Sequence, residues 1–275
     1  MCYDIETLHH RSLKFLKRSG ASADDINDAV DAYNKRFNPL YPEPRVEHYY
    51  HVSGFDHPLV PVVHVVDGKI QIEPMYWGLI PHWRKDPESA HKLWDNTINA
   101  RSETMFDKPS YRGPAQYRRG IISVESFFEH HHLNKQAYPF NIRPKEGESI
   151  TMAVLWDEWT DVNTGEIKQT FSIVTVEGNE LLSTIHNNPK LDGPRMPLIL
   201  KDEQIDDWLG LSGSIFDKRE LITICQPLED DSLAVIPVRK IRGKHAVGNY
   251  PKAIERFDYP ELALVPELEG ILQFT

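Results

Sequence analysis

The residue pair at the start of the chain offers an uncommon piece of chemistry. Cys2 follows Met1 directly, and the chain contains one other cysteine, Cys225. Because cysteine is small, removal of Met1 is expected, and Cys2 would then carry a free α-amine and a thiol on adjacent carbons. Such a 1,2-aminothiol is a distinct nucleophilic reagent. The alternative is an incidental thiol at a frayed chain end.

Three further regions combine polar residues that carry chemistry with aromatic or apolar neighbours. They are WGLIPHW (77–83) followed by INARSET (98–104), SFFEHHH (126–132), and TIHNNPKLDGPRMPLIL (184–200). Basic residues cluster in HWRKD (82–86), YRGPAQYRRG (111–120) and RKIRGKH (239–245). Each basic cluster alone is typical of a solvated surface. Three of them in one acidic chain are compatible with a local basic groove.

The histidine run raises the question of a metal site. On an extended segment, the side chains of His130, His131 and His132 would point to alternate faces, so they do not readily bind one ion. No Cys-x-x-Cys or His-Glu-x-x-His pattern accompanies them. We therefore predict a solvated loop here, no metal and no cofactor.

The elements that must position these residues are short. SADDINDAVDAYNKRF (22–37) has apolar residues at helical spacing behind a Ser22 N-cap. Hairpins are predicted at Asp67-Gly68, between LVPVVHVV and KIQIEPMYW, and at VNTGE, between SITMAVLWDEW and KQTFSIVTVE. The other predictions are strands in RRGIISVESFFEH and RMPLIL, helices in GNELLSTIH and KDEQIDDWL, and a Pro-rich loop in NPLYPEPRVE.

Length and composition predict one domain over residues 1–275. The chain is 40% hydrophobic and 26% charged, which is ordinary for a globular protein. Short strands and 20 prolines predict an α+β fold, mainly antiparallel and barrel-like, with peripheral helices. Two cysteines, no long apolar run and no apolar leader predict a cytoplasmic protein without a membrane span. The net charge of −10 argues mildly against non-specific coating of nucleic acid.

Taken in order, these stretches resemble the SRAP-domain family (SOS-response-associated peptidase), whose members act on abasic sites in DNA. The family pattern runs from Met-Cys through Trp-Gly-hydrophobic-x-Pro and Asn-Ala-Arg-x-Glu-Thr. It continues with a strand that closes on aromatic-Glu, and then Ile-His ahead of Arg-x-Pro. The resemblance covers nearly the whole chain. It implies the SRAP fold, a role in the DNA damage response, single-stranded DNA with an abasic site as partner, and a monomer.

The resemblance also implies a covalent mechanism for Cys2. The α-amine attacks the ring-opened aldehyde of the abasic deoxyribose to form a Schiff base, and the thiol then closes a thiazolidine ring. An α-amine has a pKa of about 7.7–8 and a thiol one of about 8.5, so both supply some nucleophile at neutral pH. Placing both on one residue makes the second attack intramolecular, which can lower a barrier by on the order of 7 kcal/mol.

Four residues match the family's site. Asn99 would hydrogen-bond near the Cys2 amine or the sugar, and Arg101 would pair with a phosphate. Glu129, behind two phenylalanines, would have a raised pKa and would shuttle protons. His186 would act on the sugar hydroxyl or on C2 of the Schiff base, with a pKa near 6.5. The alternatives are a strand-edge Asn, a surface Arg, a surface Glu and a core or surface His.

The chain departs from the family at three places. Members often carry Trp after the Glu, and this chain has His130. Segment 187–194 (NNPKLDGP) separates His186 from the Arg-x-Pro element, which follows more closely in many members. Tyr3 and Asp4 stand where the family has Gly-Arg, and neither could make the phosphate contact of that Arg.

The resemblance further implies a basic groove beside the terminus. Trp77, Pro81, His82 and Trp83 are candidates for stacking on unpaired bases, and Arg84 and Lys85 for binding phosphates. Arg118 and Arg119 are assigned to the same groove. WGLIPHW is equally good core material, and for Trp77 the core is the favoured interpretation.

Two other functions compete with DNA crosslinking. A thiol peptidase would use Cys2, Glu129 and His186 as nucleophile and partners, with removal of Met1 as its one required cleavage. It has no use for a free α-amine. A non-covalent DNA- or protein-binding module would show salt-sensitive binding and no covalent product. Strand cleavage by a lyase step after crosslinking stays open.

Overall fold

The computed structural model describes residues 2–19, 22–37, 48–190, 192–212 and 217–273. Strands and helices alternate irregularly within these ranges. The strands are β1 (Asp4–Leu8), β2 (His48–Ser53), β3 (Leu59–Val66), β4 (Lys69–Trp77), β5 (Asn99–Arg101), β6 (Arg119–Val124), β7 (Ser126–Leu133), β8 (Gln136–Pro144), β9 (Ile150–Thr160), β10 (Ile167–Glu177), β11 (Arg195–Pro197) and β12 (Leu233–Pro237). The α-helices are α1 (Ala23–Phe37), α2 (Pro87–Trp94), α3 (Arg112–Tyr117), α4 (Glu180–Ile185), α5 (Ile205–Leu209), α6 (Lys218–Ile224) and α7 (Glu269–Gln273).

Five strands close into a barrel. The pairing runs β10–β4–β3–β6–β9, and β9 returns to β10 to complete the ring. β11 and β5 are added at β10, which pairs in parallel with β4 and β5 and antiparallel with its other neighbours. The hairpin predicted at Asp67-Gly68 joins β3 to β4. Both residues have positive φ, at 51° and 74°, as a two-residue hairpin turn requires.

A second, antiparallel sheet carries the start of the chain. Its order is β12–β8–β7–β1–β2. The tight turn between β7 and β8 places Asn134 and Lys135 at φ of 50° and 65°. β1 lies between β7 and β2, so Asp4 is opposite Phe128 on one side and Ser53 on the other. Cys2 is thereby brought to the interior of the fold.

One core joins the two sheets. Trp77 and Phe171 from the barrel belong to the same buried cluster as Ile5 and Phe127 from the second sheet. The predicted fold class, α+β with a barrel-like arrangement of mainly antiparallel strands, is confirmed. No helix in the described ranges is long and apolar enough to cross a bilayer.

Most predicted elements are present. The helix predicted over 22–37 is α1, and both predicted hairpins form. α4 begins behind Asn179, whose side chain accepts from the Leu182 N–H at 2.9 Å. KDEQIDDWL contains a 3-10 turn followed by α5. The Pro-rich loop, 38–47, lies outside the described residues. RRGIISVESFFEH forms two strands, β6 and β7, that belong to different sheets.

Candidate active site

Cys2 precedes β1 and is completely buried. The adjacent Tyr3 is held by the β2–β3 turn, because the Gly54 N–H donates to its carbonyl at 2.8 Å. Burial raises the pKa of the Cys2 thiol well above its usual range, and the charges of Glu129 and Asp4 raise it further. The expectation of a partly ionised thiol is therefore corrected. The thiol is protonated here and needs a base before it can attack.

Asn99 contacts Cys2 directly. β5 runs parallel to β10 and places Asn99 opposite Ile173. The Asn99 Nδ2 donates to the Cys2 carbonyl at 2.8 Å. Its Oδ1 is buried without a hydrogen-bond partner among the described residues. Since an unsatisfied buried acceptor costs about 1–3 kcal/mol, a donor that arrives beside Cys2 would be stabilised there.

A hydrogen bond from the core fixes the strand that carries Asn99. Trp77 is fully buried, its indole N–H donates to the Ile98 carbonyl at 3.0 Å, and its ring stacks on Phe171. Gly54 packs on the same indole, since a Cβ there would lie 3.1 Å from the ring carbons. The assignment of Trp77 to base stacking is corrected, because its ring has no exposed face. Trp77 instead helps to position Asn99 through its hydrogen bond to the adjacent Ile98.

Glu129 projects from β7 and is 6% exposed. Burial raises the pKa of its carboxyl to about 7, and the nearby charge of Asp4 acts in the same direction. A carboxyl with this pKa is present in both protonation states at neutral pH. It therefore has the property that a proton carrier needs.

His186 ends α4 and faces Glu129. Its Nδ1 lies 3.6 Å from Glu129 Oε1 and 3.2 Å from the Arg195 carbonyl, while the Arg195 N–H is farther from the same atom, at 3.4 Å. Burial lowers the pKa of His186 to about 4, so the expected value near 6.5 is corrected. The ring is neutral at pH 7. A neutral ring that donates from Nδ1 to the carbonyl keeps Nε2 as an acceptor.

A cavity of about 230 Å³ opens beside Glu129 and His186. Most of its lining side chains are polar, charged or aromatic, and two are aliphatic. The lining residues are Tyr3, Glu129, His130, His132, Ala137, His186, Asn188, Lys240, Ile241 and Arg242. Lys240 and Arg242 come from the basic cluster RKIRGKH, which the sequence marks as basic without indicating that it reaches the site. The cavity thus combines the predicted acid–base residues with cations suited to phosphate.

Asp4 holds one of these cations. Its Oδ2 accepts from Arg242 Nη2 at 2.5 Å and its Oδ1 from Arg242 Nε at 3.2 Å. His51 Nε2 lies 3.0 Å from the same Oδ1. Burial alone would raise the pKa of Asp4, but the contacts with His51 and Arg242 lower it below its usual value. Asp4 is therefore ionised and anchors the guanidinium next to Tyr3.

The Arg and Glu of the INARSET stretch face different partners. Arg101 is exposed and lies 3.6 Å from Asp192, which belongs to the segment that separates His186 from Arg195. Its role in phosphate binding stays a prediction. Glu103 forms a two-point ion pair with the buried guanidinium of Arg195, at 2.8 Å and 3.0 Å. This pair ties the turn after β5 to β11, which carries the carbonyl that accepts from His186.

Glu103→Gln is expected to lower the free energy of unfolding by about 1–2 kcal/mol, because Arg195 is left buried without its counter-ion while Glu103 itself is partly solvated. Urea denaturation measures the change. Asp192→Asn is the matched control, since it removes an exposed carboxylate from Arg101 and should leave the midpoint unchanged. Equal midpoints for all three proteins would show that the ion pair contributes nothing.

The WGLIPHW loop supplies a second region assigned to DNA. Pro81 is buried, so its assignment to base stacking is corrected. His82 is held by the Asp157 carboxylate at 2.9 Å. Trp83 is 40% exposed and the Arg84 guanidinium lies 4.8 Å from its ring. An exposed aromatic ring beside a cation suits single-stranded nucleic acid, so Trp83 and Arg84 stay predicted contacts.

Arg118 and Arg119 bind the protein itself. Arg118 pairs with the buried carboxylate of Asp157. Arg119 Nε donates to the Trp208 carbonyl at 2.6 Å and its Nη1 to the Gln116 carbonyl at 2.7 Å. Burial lowers the pKa of Arg119 to about 10. The assignment of Arg119 to DNA is corrected, since a phosphate contact would have to replace these interactions. The Arg118 side chain is 37% exposed and pairs with Asp157 through Nη1, so its assignment to DNA stays a prediction.

The histidine run lies in β7, and the prediction of a solvated loop is wrong. β7 continues through the run because it pairs with β8, with His131 opposite Tyr138. His130 and His132 line the cavity, whereas His131 Nδ1 contacts the Thr184 carbonyl at 3.0 Å. The three side chains alternate as expected for a strand. In the described ranges, no three His, Cys, Asp or Glu side chains form a group that could hold a metal ion.

Comparisons with known proteins show which proteins the chain resembles. The abasic site processing protein YoqW of Bacillus subtilis (strain 168) is 34% identical over 180 residues, which are 65% of this chain and 74% of that protein. The abasic site processing protein HMCES of Gallus gallus is 31% identical over 217 residues, or 72% of this chain and 58% of that protein. A crystal structure of a Bacteroides thetaiotaomicron protein has 28% identity and a TM-score of 0.74, and covers 94% of this chain and 100% of its own.

The family assignment follows from a match that spans most of the fold. The model of the SOS response associated peptidase (SRAP) family matches residues 17–244, from the end of a 3-10 helix (His9–Ser19) to the loop that carries Arg242. The chain therefore belongs to the SRAP family.

Proposed function

We propose that the protein captures abasic sites in single-stranded DNA as a covalent adduct on Cys2, after removal of Met1. The observation that carries the proposal is that Asn99 binds Cys2, while Glu129 and His186 line a cavity that is also lined by Tyr3, the residue bonded to Cys2. The relatives named abasic site processing proteins support the same substrate. Capture would shield the lesion during the DNA damage response.

The first step joins the Cys2 amine to the sugar. The amine attacks the C1′ aldehyde of the ring-opened deoxyribose and water leaves, which gives a Schiff base. The open Oδ1 of Asn99, next to the Cys2 backbone, is suited to accept a hydrogen bond from the attacking amine. Glu129, with a pKa of about 7, can donate the proton that the departing hydroxyl needs.

The second step closes the ring. The Cys2 sulfur adds to C1′ across the C=N bond, and its proton passes to the nitrogen, so a thiazolidine forms without oxidant or cofactor. Because the thiol is protonated in its buried site, Glu129 in its ionised form is the base that relays this proton. Neutral His186 accepts a hydrogen bond from the sugar hydroxyl through Nε2.

The DNA substrate is single-stranded in this proposal. An abasic site there needs no base flipping, so no unstacking cost is incurred. Lys240 and Arg242 at the cavity supply local positive charge on a protein whose net charge is −10. This local charge provides the electrostatic attraction that the whole chain lacks.

The thiol-peptidase alternative fits the site less well. A peptidase needs a thiolate nucleophile with a lowered pKa. Burial raises the pKa of the Cys2 thiol instead, and His186 contacts Glu129 and Arg195. Removal of Met1, by the chain itself or by an aminopeptidase, remains the one cleavage that the proposal requires.

Incubation of the purified protein with single-stranded DNA that contains one abasic site tests the proposal. A denaturing gel should show a heat-stable band of slower mobility, absent with an unmodified oligonucleotide of the same sequence. Intact mass should equal that of the protein without Met1 plus the DNA minus one water. No band from protein shown to lack Met1 would overturn the proposal in favour of a binding module.

A further inference from the structure

The edge of the active-site cavity carries an aromatic pair beside a cation. The ring centroids of Tyr3 and Phe55 are 5.0 Å apart and the rings are tilted by 34°. The Arg242 guanidinium carbon lies 5.9 Å from the Tyr3 centroid and 5.7 Å from the Phe55 centroid. We call these residues the Tyr3–Phe55–Arg242 cluster. Because Tyr3 and Arg242 also line the cavity, the cluster is continuous with the site.

Arg242 in this cluster is preoriented and keeps donors available. Asp4 is 1% exposed and binds Arg242 through Nε and Nη2, which fixes the plane of the guanidinium. Nη1 has no hydrogen-bond partner in the part of the chain that the structure describes, and 41% of the side chain is exposed. A guanidinium held in this way can still donate to a phosphate oxygen with little loss of conformational freedom.

Phe55 offers an exposed ring on a rigid support. Its side chain is 46% exposed although the residue lies in a turn packed on the core. The preceding Gly54 allows that packing, because a Cβ there would lie 2.7 Å from Ile98 and 3.1 Å from the Trp77 ring. An aromatic ring fixed at the surface beside an arginine is the arrangement on which unpaired bases stack.

We infer that the Tyr3–Phe55–Arg242 cluster binds the nucleotide next to the abasic sugar, with its base stacked on Phe55 and Tyr3 and its phosphate on Arg242. The inference rests on the proposed function for the identity of the DNA. An abasic sugar has no base of its own, so contacts with a neighbouring nucleotide must hold the lesion in place. Tyr3 is bonded to Cys2, and consecutive Cα atoms are about 3.8 Å apart, which puts the cluster at the adjacent nucleotide.

Binding to unreactive DNA tests the stacking contact. The probe is a fluorescent single-stranded oligonucleotide with a tetrahydrofuran analogue of the abasic site, which has no aldehyde. A second tetrahydrofuran replaces the base on the 5′ or the 3′ side. On one of the two sides, loss of the base should weaken binding by the wild-type protein about five-fold or more, as expected for one stacked base. Phe55→Ala should bind the oligonucleotides with and without that base equally.

Phe257→Ala is the matched control for this experiment. Phe257 is 38% exposed and the Arg239 guanidinium lies 4.7 Å from its ring, so it forms a pair of the same kind. It is not among the residues given above as lining the cavity. This variant should keep the wild-type dependence on the neighbouring base. Equal base dependence in wild type and Phe55→Ala, or none in wild type, would overturn the inference.

A neutral backbone tests the phosphate contact. Methylphosphonate in place of the phosphate on the same side should weaken wild-type binding several-fold and leave the affinity of Arg242→Gln unchanged. The methylphosphonate effect on wild type alone is informative even if the variant does not fold. If binding depends on the neighbouring base but aldehyde-containing DNA gives no covalent adduct, the proposed function is refuted and the inference about the cluster stands. If an adduct forms but binding depends on neither the base nor the phosphate, the inference about the cluster is refuted and the proposed function stands.

Discussion

Replacing Cys2 with serine is expected to abolish the heat-stable DNA adduct. Serine is also small, so Met1 removal should continue and the α-amine should remain. The amine can still form a Schiff base, but a hydroxyl in place of the thiol cannot close a thiazolidine. The adduct should therefore appear on a denaturing gel only after borohydride reduction, and the unreduced band should fall below detection.

Cys225→Ser is the matched control for this prediction. Cys225 is the other thiol of the chain, it follows α6, and burial raises its pKa to about 12. Its removal should leave adduct formation at the wild-type level. A stable adduct from Cys2→Ser without reduction would show that the sulfur of Cys2 is not required for a heat-stable product. Thermal denaturation of both variants verifies that each is folded.

Replacing Glu129 with glutamine should slow adduct formation by about 100-fold or more, the usual range for loss of a general acid–base group. DNA affinity should change little, since the cations at the cavity are retained. The wild-type rate should also vary with pH around 7, where the Glu129 carboxyl titrates, and this inflection should be absent from the variant. Single-turnover kinetics from pH 5.5 to 8.5 measure both effects.

Glu125→Gln is the control that distinguishes proton transfer by Glu129 from the general effect of replacing a buried carboxyl. Burial raises the pKa of Glu125 to about 7 as well, but its carboxylate binds the Leu8 N–H and Arg11 on another part of the fold. Its replacement should leave the adduct rate at the wild-type value. Equal rate losses in both glutamine variants would argue that Glu129 acts through the structure and not as a proton carrier.

Both carboxyls should also affect stability, with the same sign. Each has a folded-state pKa above its unfolded value of 4.5, so each favours the folded state at low pH and this contribution is lost as pH rises towards 7. For Glu129 the loss between pH 4.5 and 8 is on the order of 3 kcal/mol. Urea titrations at pH 5 and pH 8 should show a smaller decline for either glutamine variant than for wild type. An unchanged decline would show that neither carboxyl has a raised pKa.

Local sequence signals predicted the elements well. Asp67 and Gly68, between two apolar runs, are residue types that can adopt the positive φ of a two-residue turn, and the hairpin forms there. The β9–β10 hairpin and α1 follow from equally local patterns. The division of RRGIISVESFFEH into two strands was not predicted. This continuous β-rich run is divided at Glu125 between two sheets. Local pattern does not encode which sheet a strand joins.

Long-range pairs account for what the sequence did not show. Asp4 and Arg242 are 238 residues apart, and Glu103 and Arg195 are 92 apart. No sequence-spacing rule connects such distant residues. The position of Arg242 beside Tyr3 and the Glu103–Arg195 ion pair can therefore be seen only in the three-dimensional structure. Arg119 shows the converse error. Its positive charge suggested DNA, whereas nearby carbonyls already bind its guanidinium.

The burial of Cys2 has a consequence for the oxidation of its thiol. Thiolate character and solvent access determine how fast a cysteine is oxidised to sulfenic acid or drawn into a mixed disulfide. In the chain that still carries Met1, the Cys2 sulfur has neither, because its pKa is raised and its exposure is 0%. The Cys2 thiol of that chain is thus shielded inside the fold, and peroxide or glutathione disulfide would react with it only after local opening.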